Sequence, residues 1–275
     1  MLRLLNIEIH KLKHNKASKV LIAIYFLLLT SIALVAAIKF DIGPIKFHLA
    51  EQGIFNFPYI WHFNTYMASN FKFFLLLVIV SMMANEYSNK TLKQNLIDGL
   101  SKKEFVLSKF YTVILLAALS TFFVFMVSLI LGFVYSDFNE ISIVTTDLEY
   151  LFAFFIKLVG FFSFGLFLGI LVKRSAFAVG AMFIWFIAES FIKGMVFWKF
   201  KANADDIMRI FPLEAMTNLI KEPFTRLSAV KTVAKQVGEN ISKDFSVQIL
   251  DVAIVLIWTA VFIYLSYALL KKRDL

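Results

Sequence analysis

The chain has 275 residues, 60% of them hydrophobic and only 17% charged, with 33 Phe, no Cys and a formal net charge of +9. Soluble domains are near half apolar and a quarter charged, so this balance and a mean hydropathy of +0.78 exclude a soluble fold and point to an integral membrane protein. The missing thiols exclude disulfide staples and thiolate metal sites, and the positive charge reads as an orientation signal rather than a nucleic-acid footprint.

Residues 1–18 read as an amphipathic helix on the membrane surface, with Leu2, Leu5, Ile9 and Leu12 at helical spacing among His10, Lys11, Lys13 and Lys16. Its basic part and the apolar run after it are too long for a cleavable leader. Val20 to Ile38, 19 uncharged residues between Lys19 and Lys39, form the first span, 20–38. The connection from Phe40 to Thr65 carries Phe47, Phe55, Phe57, Tyr59, Trp61 and Phe63, which suit a membrane-interface belt. A second span covers 66–85 and holds Lys72.

A polar segment of 23 residues, 86–108, comes next and is far longer than a turn between spans needs. Within it Leu92, Leu96 and Leu100, with Ile97 beside them, mark an apolar stripe on a short helix whose other face holds Lys93, Gln94 and Asp98. Gly99 stops that helix, and Ser101 with Glu104 has the spacing of a capping box. Its apolar ridge and polar flank suit a groove in a cytoplasmic partner.

Phe110 to Ser136, 27 uncharged residues, form the third span, 110–136. The fourth, 150–172, contains Lys157; the fifth, 176–198, contains Glu189 and Lys193; the sixth covers 252–270. Between the last two lies an outer segment, 199–246, where Leu227, Val230, Ala234, Val237 and Ile241 predict an amphipathic helix over Thr225–Ile241. The expected fold is all-α: one domain over 1–275 with six transmembrane helices. Short loops rich in Lys and Arg alternate with the acidic 137–149 connection, so both termini and the 86–108 segment are expected in the cytoplasm.

Charges inside spans are costly and should face one another or a wet cavity. Glu189 and Lys193, four apart on one helix face, are expected to pair. Lys72, Lys157, Glu189 and Lys193 fall at similar depths. They read either as an intramembrane polar patch on a pathway or, more simply, as an ion pair locking the fourth and fifth spans, with Lys72 and Lys157 snorkelling outward. His10 and His14 are four apart with no third ligand nearby, and no arrangement of nucleophile and base suggests catalysis.

Glu86-Tyr87, Thr91-Leu92-Lys93, Leu100-Ser101-Lys102-Lys103-Glu104-Phe105 and Lys109 resemble the signature segment of ABC-2 type transporter permeases. There, an acid ends the second span, a Thr-Leu pair and a Pro-containing turn follow, and a lysine opens the third span. Here Gly99-Leu100-Ser101-Lys102 replaces the Pro-containing turn. The resemblance implies a small permease of a bacterial exporter in the cytoplasmic membrane, with no cofactor of its own. A second permease subunit, identical or not, would pair with it in the lipid. A separate cytoplasmic ATPase subunit would bind ATP and Mg. Glu86, Lys90, Thr91, Leu92, Lys93, Leu96, Ile97 and Leu100 would form the coupling site for that ATPase. The chain has no phosphate-binding loop, so it is not expected to be an enzyme. Two other readings compete: an ion-coupled transporter using Lys157, Glu189 and Lys193, and a permease-like subunit that passes ATP-driven movement to an envelope partner.

Overall fold

In the computed structural model, which describes residues 2–37, 39–42, 45–48, 53–200, 203–226 and 244–273, Asn15 divides the N-terminal region into two helices. The first, α1 (Leu2–His14), ends there. The Asn15 side chain accepts a hydrogen bond from the Ser18 backbone N–H at 3.1 Å and so caps α2 (Lys16–Ala37). The two axes meet at 90°. α1 turns Glu8 and Leu12 inward, whereas Ile9, expected on the apolar stripe, is 39% exposed. An antiparallel hairpin of β1 (Lys39–Ile42) and β2 (Ile45–His48) is the one sheet among the described residues.

The helix expected over 66–85 has different bounds. Helix begins at Tyr59 as α3 (Tyr59–Asn70), bends by 45° at Phe71 and continues as α4 (Lys72–Ser88). At the bend the Ser69 hydroxyl and the Asn70 amide both donate to the Tyr66 carbonyl and compete with the helical ladder. Four of the aromatic residues placed in an interfacial belt, Phe55, Phe57, Trp61 and Phe63, are core instead. Phe55, Phe57 and Trp61 are buried, and Trp61 stacks on Phe125 at 5.7 Å while its indole N–H donates to the Val144 carbonyl. Their partners lie far along the chain, on helices that local periodicity cannot reveal.

α5 (Thr91–Ile97) is bracketed by two left-handed residues, Lys90 (φ 56°) and Gly99 (φ +95°). After it, Gly99 N–H donates to Leu96 and Leu100 N–H to Asn95, the paired bonds of a glycine stop. The Ser101–Glu104 capping box then starts α6 (Lys102–Tyr135) about two turns before the third span was expected, so 102–108 belong to that helix. α7 (Ile141–Val144), α8 (Glu149–Val172), α9 (Ser175–Phe200), α10 (Ala204–Met208), α11 (Pro212–Asn218), a short 3-10 turn (Phe224–Arg226) and α12 (Ile249–Lys272) complete the chain. The helix expected over Thr225–Ile241 falls almost wholly on 227–243, outside the described residues.

Four stretches, Lys102–Tyr135, Ile141–Val172, Ser175–Phe200 and Ile249–Lys272, are long and apolar enough to cross a membrane; counting each bent pair, α1–α2 and α3–α4, as one span raises the number to six. α8 is the centre of the bundle: 78% of its most apolar stretch is buried, against 17% for α9. Gly165 and Gly169 let α4 approach closely. A Cβ at Gly165 would sit 2.2 Å from Leu76 Cδ1, and one at Gly169 would sit 3.1 Å from Met83 Cβ.

Both described chain ends lie at one end of the bundle. There Arg273 donates to the Ile170 carbonyl at 2.5 Å and the Leu171 carbonyl at 2.9 Å, capping α8, while Lys102 donates to the Arg273 carbonyl at 2.9 Å. This terminal end also carries α1 and α5. α7, α10 and α11 lie toward the far end.

Candidate functional site

At the terminal end, three of the residues carrying the family resemblance converge. Lys109 Nζ donates to Glu86 Oε1 at 2.5 Å, and the Thr91 hydroxyl donates to Glu86 Oε2 at 2.6 Å. α1 adds two residues that the sequence reading did not assign to a site. Glu8 Oε2 accepts from Lys109 at 2.6 Å, and Lys11 Nζ donates to Glu86 Oε1 at 2.7 Å. Glu8, Glu86 and Lys109 are almost fully buried, with only Lys11 reaching solvent. Two carboxylates and two ammonium groups make the cluster neutral, and each buried charge has an opposite partner, which is how such a group survives burial. It joins α1, the last turn of α4 and the second turn of α6, and Thr91 ties in the start of α5.

Glu8 had a signal in the sequence. It is the sole acid in the first 40 residues, and it falls between Leu5 and Leu12 on the inward stripe of a basic helix. An acid on an apolar face needs a buried cation, though the sequence does not say that the cation lies on α6.

The leucines expected to dock a partner point the other way. Leu92 is 2% exposed in the core, and Leu96 and Leu100 pack partly against it. A seven-residue helix cannot form without tertiary anchoring, so its apolar stripe is spent on the chain's own bundle. The outward face consists of Lys93, Gln94, Asp98 and Ile97, which is 75% exposed. Lys90 is exposed at the left-handed start of α5. A cavity of about 310 Å³ opens beside the cluster between α1 and α4, lined by Lys11, His14, Asn85, Glu86, Asn89 and Thr91 among others.

The four charges expected inside spans do not form one patch. The expected Glu189–Lys193 pair is absent: Lys193 pairs with Glu214 at 2.6 Å. Glu189 accepts from the Leu213 and Glu214 backbone N–H groups at 3.2 and 3.1 Å and from the Trp185 indole, so it caps the start of α11. Helical spacing allowed Glu189 and Lys193 to meet, but the returning outer segment supplies each with a closer partner. No ion pair joins α8 to α9 among the described residues. Lys157 is 3% exposed, and Lys72 lies over the Phe161 ring at 4.8 Å.

A family model described as a protein of unknown function, DUF2705, matches residues 21–275. The chain belongs to the DUF2705 family. The match covers Glu86, Thr91 and Lys109 of the DUF2705 chain, and begins after Glu8 and Lys11. No curated protein matches it.

The far end of this DUF2705 protein is polar in a different way. A cavity of about 720 Å³ is lined by Lys193, Asp206, Arg209, Glu214, Lys221 and Asp251 among others. Arg209 pairs with Asp251, and that hydrogen bond holds the guanidinium even further above its usual range. Hydrogen bonds from the Ser246 backbone and hydroxyl hold Asp244 below the usual carboxylate range. His62 stacks on Tyr150 at 4.2 Å; its Nδ1 faces the Arg226 guanidinium at 3.1 Å, so Nδ1 accepts and Nε2–H donates to the Lys221 carbonyl at 2.8 Å. These contacts fasten the 221–226 turn over α3 and α8 and resemble no catalytic arrangement.

Proposed function

We propose that this DUF2705 protein is the membrane subunit of an ATP-driven ABC exporter, paired with a second permease subunit and driven by a separate cytoplasmic ATPase. The observation that carries this reading is the buried Glu86–Lys109–Glu8–Lys11 cluster, with Thr91 tying α5 to it. A docking helix transmits force only if it cannot slip relative to the spans, and here its first residue is bonded to a carboxylate that also holds α4, α6 and α1. Closure of two ATPases would press on the exposed face of α5, and the cluster would carry that displacement into three helices together. α1, across the axis of α2, would lie on the cytoplasmic membrane surface. ATP and Mg would be bound in the partner. The ion-coupled reading loses support because Glu189 and Lys193 are each occupied by α11 and form no chain with Lys157.

The test places a photo-crosslinking residue at Ile97, with Ile141 at the far end as control. Position 97 is expected to capture a nucleotide-hydrolysing protein and position 141 is not. If position 97 captures no ATPase in native membranes, the reading fails. Ile97→Asp with Lys93→Glu, both on exposed positions, should release the ATPase from the detergent-solubilised complex without loss of the folded permease.

A further inference from the structure

Among the described residues two lysines in the far half of the bundle have no ion-pair partner, and one of them opens onto a cleft. Lys72 lies 4.8 Å from the Phe161 ring, and Phe161 is one helical turn along α8 from Lys157, so the two lysines share one neighbourhood. Among the described residues neither takes part in an ion pair. The nearest acids of α9 and α11 are engaged elsewhere, Glu189 by the start of α11 and Glu214 by Lys193. Lys72 lines a cleft of about 330 Å³ between α4, α8, α9 and α11, whose other walls include Phe73, Phe161, Met182, Phe183 and Phe186. Phe73, Phe183 and Phe186 are 41%, 53% and 58% exposed, so the cleft is open along the apolar outer surface of the bundle.

Depth orders these groups. Counting about 1.5 Å per residue from the terminal-end residues Ser88, Val172 and Ser175, Lys72 lies about 24 Å along α4, Lys157 about 22 Å along α8 and Met182 about 10 Å along α9. A hydrocarbon core is about 30 Å thick, so both ammonium groups sit near its far boundary, while the apolar floor of the cleft descends toward the midplane. A cation near the headgroup level above an apolar slot has the polarity of an inserted amphiphile: charged end outward, chain inward.

We propose that this cleft binds an anionic lipid from the leaflet on the far side from the termini, with its phosphate at Lys72 and an acyl chain along Phe183, Phe186 and Met182. The phosphate supplies the negative charge that the protein withholds from Lys72 and its neighbour Lys157. The site is separate from α5 and does not depend on the exporter reading.

The experiment is lipid retention by the purified full chain, read by native mass spectrometry from mixed micelles of phosphatidylglycerol and phosphatidylcholine. Phosphatidylglycerol should be retained about fivefold over phosphatidylcholine, the factor expected for one basic side chain near an anionic headgroup. Lys72→Gln should abolish the preference, and Lys199→Gln, outside the cleft, should keep it. Met182→Trp, which fills the apolar floor and leaves the charge, should also lower retention. A thermal midpoint raised by phosphatidylglycerol, but not by inorganic phosphate, identifies the amphiphile rather than a free anion as the ligand. Equal retention of the two lipids, an unchanged preference in Lys72→Gln, or an equal shift with inorganic phosphate alone overturns the proposal.

Discussion

The two halves of this molecule treat buried lysine in opposite ways. At the terminal end Lys109, wholly enclosed, sits between Glu8 at 2.6 Å and Glu86 at 2.5 Å. In the far half Lys157, also enclosed, takes part in no ion pair among the described residues. A cation with carboxylates on either side is a structural joint, because removing one member strands the others. A cation without a carboxylate is an open demand, met by a ligand or by loss of its proton. The lesson is that burial alone does not say whether a charge holds a fold together or waits for something.

The sharpest break of this contrast is Lys109→Met. It leaves two carboxylates facing each other with only Lys11 between, and should lower stability by about 3–5 kcal/mol. Thermal unfolding in mild detergent checks it, with Lys109→Met/Glu86→Gln recovering part of the loss; a near-native midpoint for the single variant would remove the joint from the account. Lys157→Met should move stability the other way, a gain of up to about 3 kcal/mol in neutral lipid, since an intramembrane charge costs roughly that on insertion scales. Destabilisation there would mean that Lys157 has a partner holding it. Gly165→Val tests the α4–α8 contact that separates the two lysine sites: overpacking against Leu76 should cost about 1–3 kcal/mol, and Leu76→Ala in the same chain should restore part of it. Ser101→Ala should show the smallest effect, about 1 kcal/mol, read as lower stability and faster amide exchange in the first turn of α6.

Much of the terminal half was legible in the chain. Gly99 and the Ser101–Glu104 spacing announced where α5 ends and α6 begins, because caps are local chemistry between residues a few positions apart. The apolar runs marked the helices that are long and apolar enough to cross a membrane. What stayed hidden depended on long-range contact. Lys109 and Glu8 are 101 positions apart, and Glu189 meets α11 from 24 positions away. The leucine stripe of α5 was visible, but whether it faced a partner or the chain's own core could not be read from spacing. Glu189 and Lys193 show the converse: the spacing was right for a pair, and nearer groups took both.

The glycine contacts of α8 carry a mechanical consequence. With Gly165 under Leu76 and Gly169 under Met83, α4 and α8 touch along their middle with no flexible side chain between them on the α8 side. Such a contact has low compliance, so the pair behaves as one stiff strut. Its terminal end holds Glu86, and its opposite end holds Lys72. A load applied at one end therefore reaches the other with little taken up by side-chain rearrangement along the way, and whatever wedges against Lys72 bears on the same strut that ends at Glu86.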